Sequence, residues 1–169
     1  NRLLRGCTVQ VTGTSGSKSS IRLAGGSDGY VTTSALSSGG SASSMGPSNS
    51  GMGAALVRLV KSKIGCPYVY GASGPNSFDC AGLIRWAYKE CGVAIKAGTN
   101  LQMEEGRKIA SSDIIPGDAV YFGKPGSSRS EHVGMFIGSG KYIHAPHTGS
   151  YVQEADLTKK VILTARRFY

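Results

Sequence analysis

Residues 38–51 read SGGSASSMGPSNSG, a stretch with almost no bulky apolar side chain. Such a segment cannot contribute to a core and behaves as a flexible linker. It divides the chain into a short N-terminal piece (1–37), the linker (38–50) and a main domain (51–169). Hydrophobic residues are 40% of the chain, enough for a packed core in that main domain.

The main domain opens with a helical pattern. Met52, Ala55, Leu56, Leu59 and Val60 share one face, with Ile64 one turn further. Ser48, Asn49 or Ser50 can cap this helix, and Gly65 with Pro67 ends it. A second helix is expected from Cys80 to about Cys91. Leu83, Ile84, Ala87 and Tyr88 form its apolar face, Arg85 and Lys89 lie outside, and Gly92 suits a left-handed stop. The remainder reads as strands: 119–122 after the turn Pro116-Gly117-Asp118, a hairpin of 131–137 and 141–145 around Gly138-Ser139-Gly140, and further strands near 150–153 and 160–168. Helices followed by a run of strands predict an α+β domain with a mostly antiparallel sheet.

The N-terminal piece alternates at period two over Cys7–Thr12, then turns, with further strands at 20–23 and 30–32. It resembles the second half of a bacterial SH3-like domain, in which a G-Y-V strand precedes a short turn. So short a piece buries too little surface to close a barrel alone.

Charge narrows the partners. Nineteen basic against ten acidic residues give a net charge of +9, which favours polyanions. No basic run is interleaved with aromatics as a nucleic-acid groove requires, and no apolar run is long enough to span a bilayer. The four cysteines, Cys7, Cys66, Cys80 and Cys91, contain no C-x-x-C pair. His144 and His147 make an H-x-x-H spacing across Pro146, but on a turn with no acidic ligand nearby, so neither a metal nor a cofactor is expected.

Cys80 stands where the second helix begins. The free N–H groups and partial positive charge of a helix start stabilise a thiolate and are expected to lower its pKa. Position alone leaves a small buried hydrophobe as an equal alternative. The histidines add weight. His132, Gly134 and Phe136 share a strand face, as do Tyr142 and His144. A hairpin centred on Ser139 sets 134 opposite 144, so His132 lies diagonal to His144 on one face. A base and an orienter need that arrangement. A slip of one residue would separate the two rings.

Residues 65–83, G-C-P-Y-V-Y-G-A-S-G-P-N-S-F-D-C-A-G-L, resemble the segment G-x-P-Y-x-x-G-G…F-D-C-S-G-L of NlpC/P60 peptidases. The resemblance continues through Pro116-Gly117-Asp118-Ala119-Val120-Tyr121-Phe122, His132-Val133-Gly134 and Ile143-His144-Ala145-Pro146, in the family's order. It implies a papain-like α+β fold with Cys80 as nucleophile, His132 as base and His144 as the third polar residue. It further implies a backbone oxyanion hole at the start of the Cys80 helix, and a substrate groove lined by Tyr68 and Asp79, where Asp79 meets the free amine of a leading L-alanine. The expected reaction is cleavage of bacterial peptidoglycan stem peptides between γ-D-glutamate and a diamino acid, by a secreted or cell-envelope enzyme.

Asp79 also stands where a helix N-cap belongs, and capping uses the same oxygens. Two positions depart from the family pattern: Ala81 replaces a small hydroxyl residue, and Ala72 replaces the second glycine of Y-x-x-G-G. Thr99 is a candidate for the missing hydroxyl. An oxidising location would permit disulfides, with Cys66 and Cys91 the favoured pair and free thiols the alternative. Two other functions use the same features: a wall-binding module without catalysis, and a Cys-His amidase or acyltransferase.

Overall fold

A computed structural model describes residues 10–22, 28–32 and 49–169. Most of the linker reading, and the strand start at Cys7, lie outside these residues. The described N-terminal strands are β1 (Gln10–Ser15), β2 (Lys18–Arg22) and β3 (Asp28–Thr32), an antiparallel meander in that order. β1 continues through Gly13-Thr14-Ser15, where a turn was expected, and the reversal is confined to Gly16 and Ser17. Among the described residues these strands form an open meander, which lends no support to the SH3-like reading.

The main domain begins with α1 (Asn49–Lys61), followed by α2 (Cys80–Glu90) and a short α3 (Thr99–Glu104). Six strands make one antiparallel sheet: β4 (Arg107–Ile109), β5 (Ala119–Phe122), β6 (His132–Gly138), β7 (Lys141–His144), β8 (Gln153–Asp156) and β9 (Ile162–Arg167). Their order across the sheet is β4-β9-β5-β6-β7-β8. This is the α+β architecture expected.

Strand alternation divides the buried residues into two cores. Val133, Met135 and Ile143 face α1 and α2, meeting Leu56, Leu59, Val60, Leu83, Ile84, Ala87 and Tyr88. Val120, Phe122, Tyr142 and Ala165 pack on the opposite face with Ile109. Each fully buried aliphatic side chain contributes about 1.5–3 kcal/mol relative to exposure. The first core therefore presses α2, and Cys80 at its start, onto the centre of the sheet.

Ile64 is a correction. It lies past the end of α1 and is 49% exposed, because the helix stops at Lys61 and the chain turns before that stripe can continue. α3 and β4 were not foreseen. Six residues make under two turns, and only Gln102 of α3 is buried, so no period is visible. The strand expected near 150–153 forms at 153–156, a mostly exposed edge with no alternation to read.

Pro116-Gly117-Asp118 has a structural role. Asp118 is fully buried and takes a two-pronged ion pair from Arg167, with Nε to Oδ1 at 2.6 Å and Nη2 to Oδ2 at 2.7 Å. Oδ2 also accepts the Ile115 N–H at 2.9 Å, and Arg167 Nη2 donates to the Asp113 carbonyl at 3.1 Å. The pair ties the start of β5 to the end of β9.

Candidate active site

Asp79 is the N-cap of α2. Its Oδ1 accepts the Gly82 N–H at 2.6 Å and its Oδ2 accepts the Gly71 N–H at 2.9 Å. Its own N–H donates to the Ala72 carbonyl at 2.9 Å. One carboxylate thus fastens both the first turn of α2 and the loop before it, on either side of Cys80. Glycine is required at 82, because a β-carbon there would collide with the Ala72 carbonyl oxygen.

The Cys80 thiol is half-buried, and the nearby backbone N–H groups of Val133, Ala81 and its own residue favour the thiolate. The Val133 amide places the sulfur against β6, one residue from His132. Burial, and then the neighbouring Asp79 carboxylate, outweigh these amides and push the thiol above its ordinary range. The lowered pKa expected from the helix start alone is therefore corrected: desolvation costs the thiolate more than the helix end returns.

The two histidines meet as the hairpin register predicts. Met135 pairs with Ile143, which sets Gly134 level with His144 and leaves His132 diagonal to it. His132 Nε2 and His144 Nδ1 are 2.7 Å apart. Gly134 between them has no side chain, and a β-carbon there would strike the Tyr142 ring. His132 stacks on Phe122 with ring centroids 6.0 Å apart, and His144 lies 4.8 Å from Tyr142. Burial, then His144 and Lys160, lower the His132 pKa to about 3. Burial, then Lys160 and His147, lower that of His144 to about 4. Both rings are neutral at pH 7.

Neutrality fixes the chemistry available. With Nε2 of His132 occupied by His144, Nδ1 is the nitrogen left to accept a proton. A base at Nδ1 must carry its hydrogen on Nε2 and donate it to His144 Nδ1, which places the His144 proton on its own Nε2. That Nε2 is buried with no hydrogen-bond partner among the described residues. At pH 7 Cys80 is then a thiol and His132 a neutral imidazole.

Tyr68 shares this corner. Its phenol is pushed up by burial, then by Cys80 and by Asp79. Thr99 stands at the start of α3, where its hydroxyl donates to the Ser130 carbonyl at 3.2 Å. Its hydrogen is thus engaged with the chain. Asn100 Oδ1 accepts the Ser130 N–H at 2.8 Å, and the Ser130 hydroxyl lies 2.7 Å from the His132 carbonyl and 3.1 Å from that of Phe122. Ser130 and Asn100 therefore hold the start of β6, a role the sequence did not reveal because the partners are 30 residues apart. His147 is exposed, as expected of a loop residue. Cys66 is a free thiol, so the Cys66–Cys91 bridge does not form. Among the described residues, no three His, Cys, Asp or Glu side chains gather to hold a metal ion.

The chain that carries this thiol and this histidine pair has relatives among known proteins. A probable endopeptidase of Corynebacterium glutamicum is 40% identical over 116 residues, 69% of this chain and 54% of its own. The gamma-DL-glutamyl hydrolase of Bacillus subtilis is 34% identical over 119 residues, 67% of this chain and 29% of its own. The chain thus spans about half the length of the first and less of the second. The solved NlpC/p60 domain of the peptidoglycan hydrolase SagA superposes with a TM-score of 0.61 at 36% identity, covering 68% of this chain and 97% of that domain. The NlpC/P60 family pattern itself matches residues 65–166, which contain Cys80, both histidines and the sheet that joins them, and the chain belongs to the NlpC/P60 family.

Proposed function

We propose that this chain is a cysteine peptidase that hydrolyses peptidoglycan stem peptides, cutting between γ-D-glutamate and the diamino acid outside the cell membrane. The observation that carries the reading is the 2.7 Å contact between His132 and His144. The endopeptidase and γ-glutamyl hydrolase names of the relatives support the same reaction class.

In this mechanism Cys80 Sγ attacks the γ-carbonyl carbon while its proton passes to His132 Nδ1. The backbone N–H groups at the start of α2 stabilise the oxyanion. Collapse breaks the C–N bond, and His132 returns the proton to the leaving amine of the diamino acid. Water, deprotonated by His132, then attacks the thioester carbonyl; the C–S bond breaks, the γ-carboxyl group is freed and the proton returns from His132 to the Cys80 sulfur. His144 accepts from His132 Nε2 throughout and stabilises the imidazolium. Tyr68 and Asp79 hold the L-alanine end. Both Asp79 oxygens already accept a backbone N–H, so an incoming ammonium uses their remaining lone pairs.

Mass spectrometry of purified sacculi after digestion tests this. Muropeptides ending in γ-D-glutamate, absent with Cys80→Ala, are expected. Products cut between two D-residues would move the scissile bond, and binding without any released peptide would favour a wall-binding module. The free tetrapeptide L-Ala-γ-D-Glu-diamino acid-D-Ala is expected to give a higher kcat/KM than its N-acetylated form. Equal values would leave Asp79 as a helix cap alone.

A further inference from the structure

A groove of about 450 Å³ opens directly on the histidine pair. Lys124, Lys159 and Lys160 line it, with Glu131 as the single acid in its wall. Lys124 lies 3.9 Å from Glu131, and Lys159 lies 3.7 Å from Asp156. Lys160 has no carboxylate partner among the described residues, yet its charge acts on both His132 and His144. An unpaired cation beside a general base opposes catalysis, because the base must itself become a cation. The arrangement makes sense when something negative occupies the groove during the reaction.

His132 determines which part of a substrate that is. It hands its proton to the leaving amine, so the leaving group lies on the His132 side of the sulfur. Building on the peptidase reading above, we propose that this groove is a leaving-group subsite for a carboxylate, with Lys160 as its specificity-determining residue and Lys124 and Lys159 reinforcing the field. A carboxylate paired with Lys160 cancels its repulsion on the forming imidazolium, so the effect falls on kcat as well as KM.

The test compares L-Ala-γ-D-Glu-L-Lys with its C-terminal amide, which differ in one leaving-group charge. Wild type is expected to favour the free acid about tenfold in kcat/KM, roughly what one added charge-assisted contact supplies. Lys160→Met should bring the two peptides within about twofold of each other, and should speed the amide by removing the unpaired cation. Lys160→Glu should invert the order. Lys160 is exposed, so these variants should fold, and thermal unfolding checks that. Equal rates for acid and amide in wild type, or a preference that survives Lys160→Met, would overturn the subsite while leaving the peptidase reading standing. Release of lysine from neither peptide would overturn both.

Discussion

The domain buries ionisable groups in two places and treats them oppositely. At the junction of β5 and β9, Asp118 and Arg167 are buried as a charged pair, with further backbone hydrogen bonds to both partners. Elsewhere, Cys80 and His132 are half-buried and His144 is buried, without a counter-ion bonded to them among the described residues, and one His144 ring nitrogen has no partner there. The first arrangement bonds each charge directly to its opposite and ties two strands together. The second is kept neutral by desolvation, so its groups can change protonation without breaking an ion pair. Desolvation acts on both; the presence or absence of a bonded opposite charge separates the ion-paired site from the neutral one.

The largest effect that would test this contrast is on the nucleophile. Cys80→Ala should lower turnover by at least about four orders of magnitude while the melting temperature stays near that of wild type. Retention of a tenth of wild-type activity would end the cysteine mechanism. The histidines should then separate: His132→Ala is expected to cost about three orders of magnitude and His144→Ala about one to two, because an orienter biases the tautomer without carrying the proton. Steady-state rates on one peptide decide it, and equal losses would make the pair a single unit.

At the other site the effect should be on stability. Asp118→Ala leaves the Arg167 guanidinium buried and unpaired, and is expected to destabilise the domain by about 3–5 kcal/mol in urea unfolding. A loss under about 1 kcal/mol would mean that water enters and screens the charge.

The smallest effects concern protons. Alkylation of Cys80 by a neutral reagent should rise with pH and reach its midpoint above the ordinary thiol value of 9.0. A midpoint below 7 would instead reveal a preformed thiolate–imidazolium pair. The histidines carry a matching sign. Their folded values, about 3 and about 4, lie below the unfolded 6.5, so the unfolded chain binds more protons in between. Their contribution to stability should be fully present above pH 6.5 and fall as the pH drops towards 4. Unfolding of His132→Gln with His144→Gln should lose that slope.

Much of the site could be read from the chain itself. The helical spacing through Leu83, Ile84, Ala87 and Tyr88 determined which face of α2 is buried, and hence that Cys80 begins a helix pressed on the sheet. The two-residue period of β6 and β7, with a turn at Ser139, determined that His132 and His144 share a face. These are local regularities, and short-range sterics enforce them wherever the chain goes. The tertiary structure decided the rest. Whether the thiol is raised or lowered depends on how deeply it is desolvated, and that depends on β6 crossing α2. Asp118 became an anchor because Arg167, far along the chain, arrives beside it. Thr99 and Asn100 became supports of β6 because α3 packs where Ser130 passes. Lys160 faces the histidines because the chain leaving β8 returns past them before β9. Each of these is a contact between distant segments, and desolvation and charge pairing depend on who the spatial neighbours are, which no local pattern encodes.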